Sequence, residues 1–413
     1  MKHVLIFELG LGGHYSIYLE HIATAYLDMG YRVTITLLPE MKNYPGIRRL
    51  EDRFLENLNF IIVTNKEFQT TIRLHGGNLG RELANWFLCK KKYLEIQRET
   101  KVDYVFIPFL DHCLNVIGLL GSPFGSTQWS GISMLVSIHH SHYGFINSTT
   151  KLNAIKRFCF IRLLKNRSLH TLFTIDELLL KFILDSDIGL ADRIQYLADP
   201  AEFVGDHTQA SARKLLNIKA EAVVILVYGA IYPRKGLDVL VKALISPGVP
   251  ECIQILIVGK QLETMDDFFN SKVVNDLIEG GRIHIINEFV DAGKQQMAFA
   301  ATDIVWLGYE NHFAMSGVLV LAAKARKVVI STNDGLIGWH TREKQLGLTV
   351  NLRDITSVQS ALIDMSNDLF RINIQRNINP VFDTYTWENA TKSILGTTEP
   401  CSMVNKGRGS SSI

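Results

Sequence analysis

Residues 222–236 read Ala-Val-Val-Ile-Leu-Val-Tyr-Gly-Ala-Ile-Tyr-Pro-Arg-Lys-Gly. The run from Ala222 to Tyr228 carries no charge and is rich in Val and Ile, which predicts a buried strand that ends at Gly229. A helical pattern over 236–245 follows directly. Strand, glycine turn and helix in this order form the first part of a βαβ unit, from which parallel sheets are built.

The same alternation continues on both sides of this stretch. Residues 3–9 predict a strand, the glycines up to Gly13 a turn, and a helical pattern leads into a strand over 31–38. The fold class is therefore α/β, with two doubly wound Rossmann-like domains that face each other across a cleft. Further strands are predicted at 59–64, 104–108, 134–138, 171–174, 193–197, 253–258, 282–286, 303–308, 327–331 and 347–350, and further helices at 263–279, 291–301 and 316–326.

The domain boundaries follow from where the alternation pauses. Residues 199–210, which begin Asp-Pro, predict a linker. We expect an N-terminal domain over 1–203, a C-terminal domain over 204–385 and a C-terminal helix over 386–396. The polar tail 397–413 is expected to be disordered.

The composition is that of a globular protein and excludes several classes. Of 413 residues, 47% are hydrophobic and the formal net charge is +2, whereas a nucleic-acid-binding protein is usually more basic. Five widely spaced cysteines without a Cys-x-x-Cys pair argue against a disulfide framework or a zinc site and fit a reducing compartment. No signal peptide is recognisable, and the longest stretch without Asp, Glu, Lys or Arg, His112 to Thr150, is too polar for a membrane span. We therefore expect a soluble, cytoplasmic protein.

Arg234 and Lys235 lie at the N-terminus of the predicted helix, a few residues after Gly229. Two cations beside free backbone N–H groups suit a doubly charged diphosphate, and glycine lets the backbone approach a ligand closely. The alternative is a charged first turn on a solvated loop, which needs no ligand. Spacing alone leaves both interpretations open.

The pattern Gly229-x4-Arg234-Lys235-Gly236-Leu-Asp-x-Leu resembles the start of the donor domain in glycosyltransferase family 4, whose members have the GT-B fold. The resemblance continues through 255–259, 301–307 and 316–323, and covers both domains. It implies a retaining glycosyltransferase that takes its sugar from a nucleoside diphosphate sugar, with a UDP-sugar favoured and no obligatory metal or other cofactor. It also implies an N-terminal domain on the acceptor side and a C-terminal domain that binds the nucleotide sugar.

The same resemblance assigns residues to the donor. Arg234 and Lys235 contact the diphosphate and act in catalysis, and Gly229 is one of the residues that bind the donor. The N-terminal glycine loop, Gly12 and Gly13, lies against the donor phosphates. Glu288, after the strand at 282–286, lies near the nucleobase.

One part of the family pattern is absent. Family members usually carry two glutamates eight residues apart, the first near the transferred sugar and the second at the ribose. Counting from Glu310, a catalytic candidate, gives the apolar Val318, and the alternative register gives Phe313 and Leu321. His312 is a candidate to replace the missing carboxylate toward phosphate or sugar, with a capping or surface role as the alternative. The donor-side candidates of this segment are His312, Val318 and the start of a helix at Ser316 and Gly317, whose N–H groups suit a phosphate.

Three histidines stand close together in His139-His140-Ser141-His142, after the strand predicted at 134–138. A metal site is disfavoured because the closest acid downstream is Asp176. By resemblance, His139 is the histidine that faces the donor sugar in the cleft, and it is a catalytic candidate. Candidates for acceptor binding or proton handling are His14, Asp111 and His112, for which a structural role stays open.

A basic segment, 151–167, lies in a region without any Asp or Glu. Leu152, Ile155, Cys159 and Leu163 fall on one helical face, which predicts a helix that covers the core. Its basic face is either simply solvated or makes peripheral contact with an anionic membrane, where a lipid-linked acceptor would lie.

The expected reaction is transfer of a sugar to the hydroxyl of a carbohydrate or lipid-linked acceptor, in surface polysaccharide or glycolipid synthesis. Two alternatives stay open: a nucleotide-sugar epimerase of the same architecture, and a non-catalytic partner subunit that has lost the ribose glutamate. No paired carboxylates of the glycosidase kind are recognisable.

Overall fold

The computed structural model describes residues 1–10, 13–64, 66–68, 77–145, 150–186, 189–202 and 205–398. The chain divides into two compact units. The N-terminal unit comprises Met1–His139, Ser148–Leu197 and Glu388–Ile413, and the C-terminal unit comprises His140–Asn147 and Ala198–Trp387. Most of the predicted tail 397–413 lies outside the described residues, and its first two residues belong to the last helix, α16 (Trp387–Thr398).

The N-terminal unit is built on a parallel sheet of seven strands with helices between them. Its strands are β1 (His3–Phe7), β2 (Arg32–Leu37), β3 (Leu58–Ile62), β4 (Tyr104–Ile107), β5 (Gln128–Ser133), β6 (Leu169–Thr174) and β7 (Ile194–Tyr196). Its helices are α1 (Gly13–Asp28), α2 (Pro45–Arg53), α3 (Gly77–Glu99), α4 (Leu114–Leu120), α5 (Thr150–Leu164) and α6 (Glu177–Leu184). The order across the sheet is β3-β2-β1-β4-β5-β6-β7.

This order is that of a doubly wound sheet, in which the winding direction reverses between β1 and β4. All five residues of β1 and all four of β4 are buried. Strands of parallel sheets covered on both faces are nearly continuous hydrophobic runs, which is why these two could be predicted from sequence. Ligands of such sheets bind at the carboxyl ends of the strands, beside the switch point.

The strand predicted at 134–138 is wrong, because the sheet uses β5, Gln128–Ser133, instead. The β5 segment contains Gly131 and three polar residues, so it lacks the composition of a buried strand. It is held between β4 and β6 by parallel pairing. The pairing stops at Met134, whose backbone N–H donates to Asp111 Oδ2 at 2.8 Å.

The C-terminal unit repeats the architecture with six parallel strands. They are β8 (Val223–Tyr228), β9 (Ile253–Val258), β10 (Ile283–Ile286), β11 (Ile304–Leu307), β12 (Val328–Thr332) and β13 (Gly347–Val350). The order is β10-β9-β8-β11-β12-β13, so the switch point lies between β8 and β11. Its helices are α7 (Gln209–Leu215), α8 (Leu237–Leu244), α9 (Asp266–Phe269), α10 (Lys272–Glu279), α11 (Ala292–Ala301), α12 (Gly317–Lys324), α13 (Gly335–Glu343), α14 (Ile355–Ser366) and α15 (Asp368–Asn377).

A hydrophobic cluster holds the strands at this switch point in place. It includes Ile225 of β8 and Trp306 of β11, which pack together with Leu240 of α8 and Leu362 of α14. All four side chains are fully buried. Burial of one such side chain contributes about 1.5–3 kcal/mol, so the two strand ends that carry the candidate site are firmly supported.

The single helix predicted over 263–279 is divided into α9 and α10. Ser271 caps α10, because its side-chain oxygen accepts the backbone N–H of Val274 at 3.4 Å. Serine at this position favours a new helix start over a continuous helix. None of the helices in the described part of the chain is long and apolar enough to span a membrane.

Candidate functional site

The segment after β8 forms a tight basic turn, Pro233–Lys235, which leads into α8. Gly236 closes the turn with φ +62°, in the left-handed region that favours glycine. A Cβ at Gly236 would lie 2.3 Å from the carbonyl oxygen of Gly308, so the turn sits directly against the segment that follows β11. Gly229 also has a positive φ, +95°, and a Cβ at this position would lie 3.5 Å from Lys235 Nζ.

Lys235 is buried although it carries an ammonium group, with 5% of its surface exposed. Its Nζ donates to the carbonyl oxygen of Tyr228 at 2.7 Å and to the hydroxyl of Tyr309 at 2.6 Å. Burial lowers the pKa of Lys235 to about 8, and the positive charge of Arg234 acts in the same direction. A buried cation at a switch point, with a pKa shifted toward neutrality, is typical of a ligand-binding or catalytic position.

Arg234 occupies a different environment, since its side chain is exposed. The guanidinium contacts the Tyr232 hydroxyl and lies 5.0 Å from the centroid of that ring. The backbone carbonyl oxygen of Arg234 accepts the N–H of Glu310 at 2.9 Å, which links the basic turn to the loop after β11. The two predicted cations therefore lie together, one buried and one facing solvent.

The loop after β11 brings Tyr309 and His312 to the same place. Their rings are 5.6 Å apart, and burial raises the pKa of Tyr309. Burial and the charge of Arg234 lower the pKa of His312 to about 4. His312 is therefore neutral at physiological pH and is able to form a hydrogen bond but not to supply a charge.

The position eight residues after Glu310, where the family usually has its second glutamate, is occupied by Val318. Glu310 is half-buried at the carboxyl end of β11, and Val318 is the second residue of α12. The Ser316 side chain does not cap α12, although Ser316 is its N-cap residue. A Cβ at Gly317 would lie 3.8 Å from Asp199 Oδ2, so a carboxylate already lies near this helix N-terminus.

Glu288 follows β10 and is exposed. Its carboxylate forms an ion pair with Lys294 at 2.5 Å. Among the described residues, no hydrogen bond or ion pair joins Glu288 to the basic turn. Its assignment to the nucleobase rests on the resemblance alone.

In the N-terminal unit, His139 does not follow the end of a strand, since β5 ends at Ser133. The side chain is fully buried, and its Nε2 lies 3.0 Å from Asp176 Oδ2. The other oxygen of Asp176 accepts the backbone N–H of Leu179 at 2.9 Å and caps α6. The acid that sequence distance had set apart from the histidines is therefore the partner of His139.

The three clustered histidines are divided between the two units. His140 belongs to the C-terminal unit, where its ring lies 5.8 Å from that of Phe313. Among the described residues, neither unit by itself brings together three His, Cys, Asp or Glu ligand atoms. Zinc sites need at least three protein ligands.

Asp111 and His112 lie just beyond the carboxyl end of β4, as predicted. Asp111 accepts the backbone N–H groups of Met134 and Leu135 at 2.8 and 2.9 Å, and burial raises its pKa to about 6. Burial lowers the pKa of His112. Both residues are half-buried and therefore partly accessible. Asp111 also has a structural role, because its carboxylate accepts the two backbone N–H groups.

Sequence reasoning missed Glu8, which follows β1 on the other side of the same switch point. Its side chain is 1% exposed, and Oε1 accepts the backbone N–H of Gly10 at 2.6 Å. Burial raises the pKa of Glu8 to about 8. An acid at the end of an apolar strand was the available signal. Of the glycine loop, Gly12 lies outside the described residues, and Gly13 and His14 begin α1, with the His14 side chain outside the description.

The basic helix α5 differs from its prediction. Cys159 and Leu163 are buried, but Leu152 and Ile155 are 58% and 59% exposed. The close packing against α4 is made at Cys159, where a Cβ on Gly118 would lie 2.1 Å from the Cys159 carbonyl oxygen. Leu152 and Ile155 precede this contact by two turns and one turn of helix, so they lie beyond it.

Comparison with known proteins places the fold but not the activity. Neither protein-family models nor curated proteins match this sequence. Among solved structures, HepE from Anabaena in complex with UDP and glucose is 16% identical, with a TM-score of 0.65 over 96% of this chain and 99% of that one. Sucrose-phosphate synthase from Thermosynechococcus elongatus is 13% identical, with a TM-score of 0.66 over 96% and 98%.

A third structure belongs to another class of enzyme. UDP-GlcNAc 2-epimerase from Neisseria meningitidis, bound to UDP-GlcNAc, is 13% identical, with a TM-score of 0.58 over 96% of this chain and 99% of that one. At these identities, the likeness establishes the fold. The chain is a protein of the GT-B fold, built from two Rossmann-like units, and the expected fold is confirmed.

Proposed function

We propose that the chain is a glycosyltransferase that moves a sugar from a nucleoside diphosphate sugar, with a UDP-sugar favoured, to an acceptor hydroxyl with retention of configuration. The observation that carries this proposal is the pairing of buried Lys235 with exposed Arg234 beside Gly229, at the switch point of the C-terminal sheet. A diphosphate leaving group needs cations where its charge develops. Fold and family resemblance support the proposal.

In this mechanism, the chain stabilises the departing diphosphate. Arg234 offers a planar guanidinium from solvent, and Lys235 offers an ammonium held in a low-dielectric position. The backbone N–H groups at Ser316, Gly317 and Val318 add donors at the start of α12. Because these groups supply the positive charge, the reaction needs no obligatory metal.

The sugar and acceptor sides are assigned to the remaining candidates. The loop that holds Glu310 and His312 is joined to the basic turn, since the Glu310 N–H donates to the Arg234 carbonyl oxygen at 2.9 Å. Both residues are proposed to bind the sugar, with His312 as a neutral hydrogen-bond donor. His139, positioned by Asp176 at 3.0 Å, is proposed to face the sugar. Asp111 and His112 are proposed to bind the acceptor, which we expect in surface polysaccharide or glycolipid synthesis.

The deciding experiment incubates the protein with a panel of nucleotide sugars and measures nucleoside diphosphate release by coupled assay. Release that depends on an added acceptor supports a transferase. An isomerised sugar without release supports the epimerase alternative, whose fold the Neisseria enzyme shares. Neither turnover nor nucleotide binding supports a non-catalytic partner subunit.

A charge-matched pair of double variants tests the cations. Arg234→Ala with Lys235→Ala should abolish turnover and weaken UDP binding in calorimetry. The control, Lys242→Ala with Lys272→Ala, also removes two positive charges, but from exposed ion pairs with Asp238 and Asp276. Retained activity in the first variant would contradict the mechanism.

We also propose peripheral contact between α5 and an anionic membrane. Leu152, Ile155 and Phe158 are each more than half exposed, and their spacing by three residues places them along one side of the helix. The same segment, within α5 and just after it, carries the exposed basic residues Lys156, Arg157, Arg162, Lys165 and Arg167. Apolar side chains bordered by cations are the pattern of helices that lie in the interface of an anionic bilayer.

Vesicle flotation tests this contact with and without anionic lipid. Ile155→Glu should lower the fraction of protein that floats with anionic vesicles, because it inserts a negative charge among the apolar side chains. Leu55→Glu is the matched control, since Leu55 is 83% exposed elsewhere in the same unit. Equal flotation of both variants and the native chain would remove the proposal.

A further inference from the structure

A pocket of about 480 Å³ opens at the carboxyl ends of β11, β12 and β13 in the C-terminal unit. Its walls are the loops 309–312, 332–334 and 351–353, together with Gly144. Small-molecule sites have volumes of about 300–1,000 Å³. The donor site proposed above uses only the first of these loops, so most of the wall has no assigned role.

The strands and neighbouring helices fix the backbone of these walls. The N–H of Asn333 donates to Val350 O at 3.0 Å, and the carbonyl oxygen of Asn333 accepts from Arg342 at 3.0 Å. The N–H of Asn351 donates to Ser357 Oγ at 3.1 Å. The pocket is therefore pre-formed, as most ligand sites are.

The chemistry of the wall narrows the class of ligand. Amides both donate and accept hydrogen bonds, and so does the hydroxyl of Thr332. The lining contains two acidic residues, Glu310 and Asp334, and one basic residue, Arg353. His312 is neutral because its pKa is lowered to about 4. This charge balance disfavours an anion. The side-chain amides of the wall belong to Asn311, Asn333 and Asn351. Its apolar residues are Leu352 and Tyr309, which are too few to enclose a nucleobase.

We propose that this pocket binds a neutral, hydroxyl-rich glycosyl unit, oriented by hydrogen bonds from Asn333, Asn351 and Arg353. Each sugar hydroxyl is both donor and acceptor, which matches a wall of amides, carboxylates and one guanidinium. The inference rests on the proposed function only for the source of the sugar, which is either the donor or an acceptor glycan. The basic turn holds the diphosphate, and this pocket holds carbohydrate.

Hydrogen–deuterium exchange of the full chain tests the pocket without requiring turnover. The probes are glucose, galactose, N-acetylglucosamine and maltotriose, with inorganic phosphate and UDP as anionic comparisons. We expect at least one saccharide to slow exchange in the peptides that contain 332–334 and 351–353.

Two single variants test the side chains of the pocket. Asn351→Ala and Arg353→Ala should each raise the saccharide concentration needed for half-maximal protection roughly tenfold, because each removes hydrogen bonds to the ligand. Both side chains are exposed, so the variants should fold normally.

Lys272→Ala, on the exposed surface of α10, is the control and should leave the titration unchanged. Weakened binding of UDP-glucose but not of UDP identifies the donor sugar as the occupant, and weakened binding of maltotriose alone identifies an acceptor glycan. The inference is overturned if no saccharide slows exchange in these loops, or if phosphate or UDP slows it and the saccharides do not. Absence of UDP binding counts against the proposed function and not against the pocket, because saccharide protection is measured without nucleotide.

Discussion

The ammonium nitrogen of Lys235 lies 2.6 Å from the hydroxyl oxygen of Tyr309. Lys235 follows β8 and Tyr309 follows β11, so this hydrogen bond joins the two strand ends on either side of the switch point. Nζ also lies 4.3 Å from the centroid of the Tyr309 ring. Tyr309 thus holds the buried cation at the position where the sheet is expected to bind its ligand.

Tyr309→Phe should destabilise the chain by about 1–3 kcal/mol, because it leaves a buried ammonium without one of its acceptors. The measurement is the free energy of unfolding from urea titration at neutral pH. Tyr232→Phe is the control, since it removes a hydroxyl that contacts the exposed Arg234 and should change stability by less than about 0.5 kcal/mol. An equal loss of unfolding free energy in both variants would show that the Lys235–Tyr309 hydrogen bond does not stabilise the chain more than the exposed contact does.

Binding of UDP should be coupled to proton uptake by Lys235. Its pKa is lowered to about 8, so about half of the molecules carry a neutral lysine at pH 8. A bound diphosphate favours the charged form and raises the pKa of Lys235, so this residue should take up about half a proton at pH 8 and almost none at pH 6.5. Calorimetry in buffers of different ionisation enthalpy measures this number directly.

The control for proton uptake is Lys235→Arg, since arginine stays charged throughout this pH range. That variant should show no lysine-dependent uptake at pH 8. Uptake of the same size in the variant and the native chain would assign the proton to another group. No uptake in the native chain would place the diphosphate away from Lys235.

Much of the fold could be predicted because parallel strands covered on both faces are locally recognisable. Val223–Tyr228 and Ile253–Val258 are almost entirely apolar, and their strands were predicted to within one residue. The segment Gln128–Ser133 becomes a strand only through its neighbours β4 and β6, so its own sequence does not reveal it. Tertiary context decides strand formation in such segments.

The candidate site divides in the same way. Arg234 and Lys235 are adjacent in sequence and could be recognised as a pair. The partner of Lys235, Tyr309, is 74 residues away, and nothing in the local pattern connects the two. The contact between His139 and Asp176 is similarly invisible, because it depends on how β5, β6 and the segments after them are arranged.

Gly236→Ala should disrupt the basic turn itself. The new Cβ would lie 2.3 Å from the Gly308 carbonyl oxygen, and φ is +62°. We expect a loss of more than about 2 kcal/mol in unfolding free energy and weaker UDP binding, because the turn must move away from the end of β11. Gly248→Ala is the matched control: its φ is +84° and no atom lies within 4 Å of the new Cβ, so only backbone strain of about 1 kcal/mol applies. If both variants lose the same stability, close packing of the turn against Gly308 is not important.

Glu8→Gln should change how stability depends on pH. The pKa of Glu8 is raised from 4.5 to about 8 in the folded chain, so between these values the folded chain holds a proton that the unfolded chain has released. The contribution of this group is therefore fully present below pH 4.5 and is lost as the pH rises through 8, at up to about 1.4 kcal/mol per pH unit. The variant has no titrating group here, so its unfolding free energy should fall less between pH 5 and 8 and should exceed that of the native chain above pH 8.

The control for this pH dependence is Glu20→Gln, which removes only an ion pair with exposed Arg49. It should shift the unfolding free energy by less than about 1 kcal/mol and should not change its dependence on pH between 5 and 8. Parallel pH profiles for the native chain and Glu8→Gln would mean that Glu8 is ionised in the folded chain, and that the turn from Glu8 to Gly10 is held by a carboxylate.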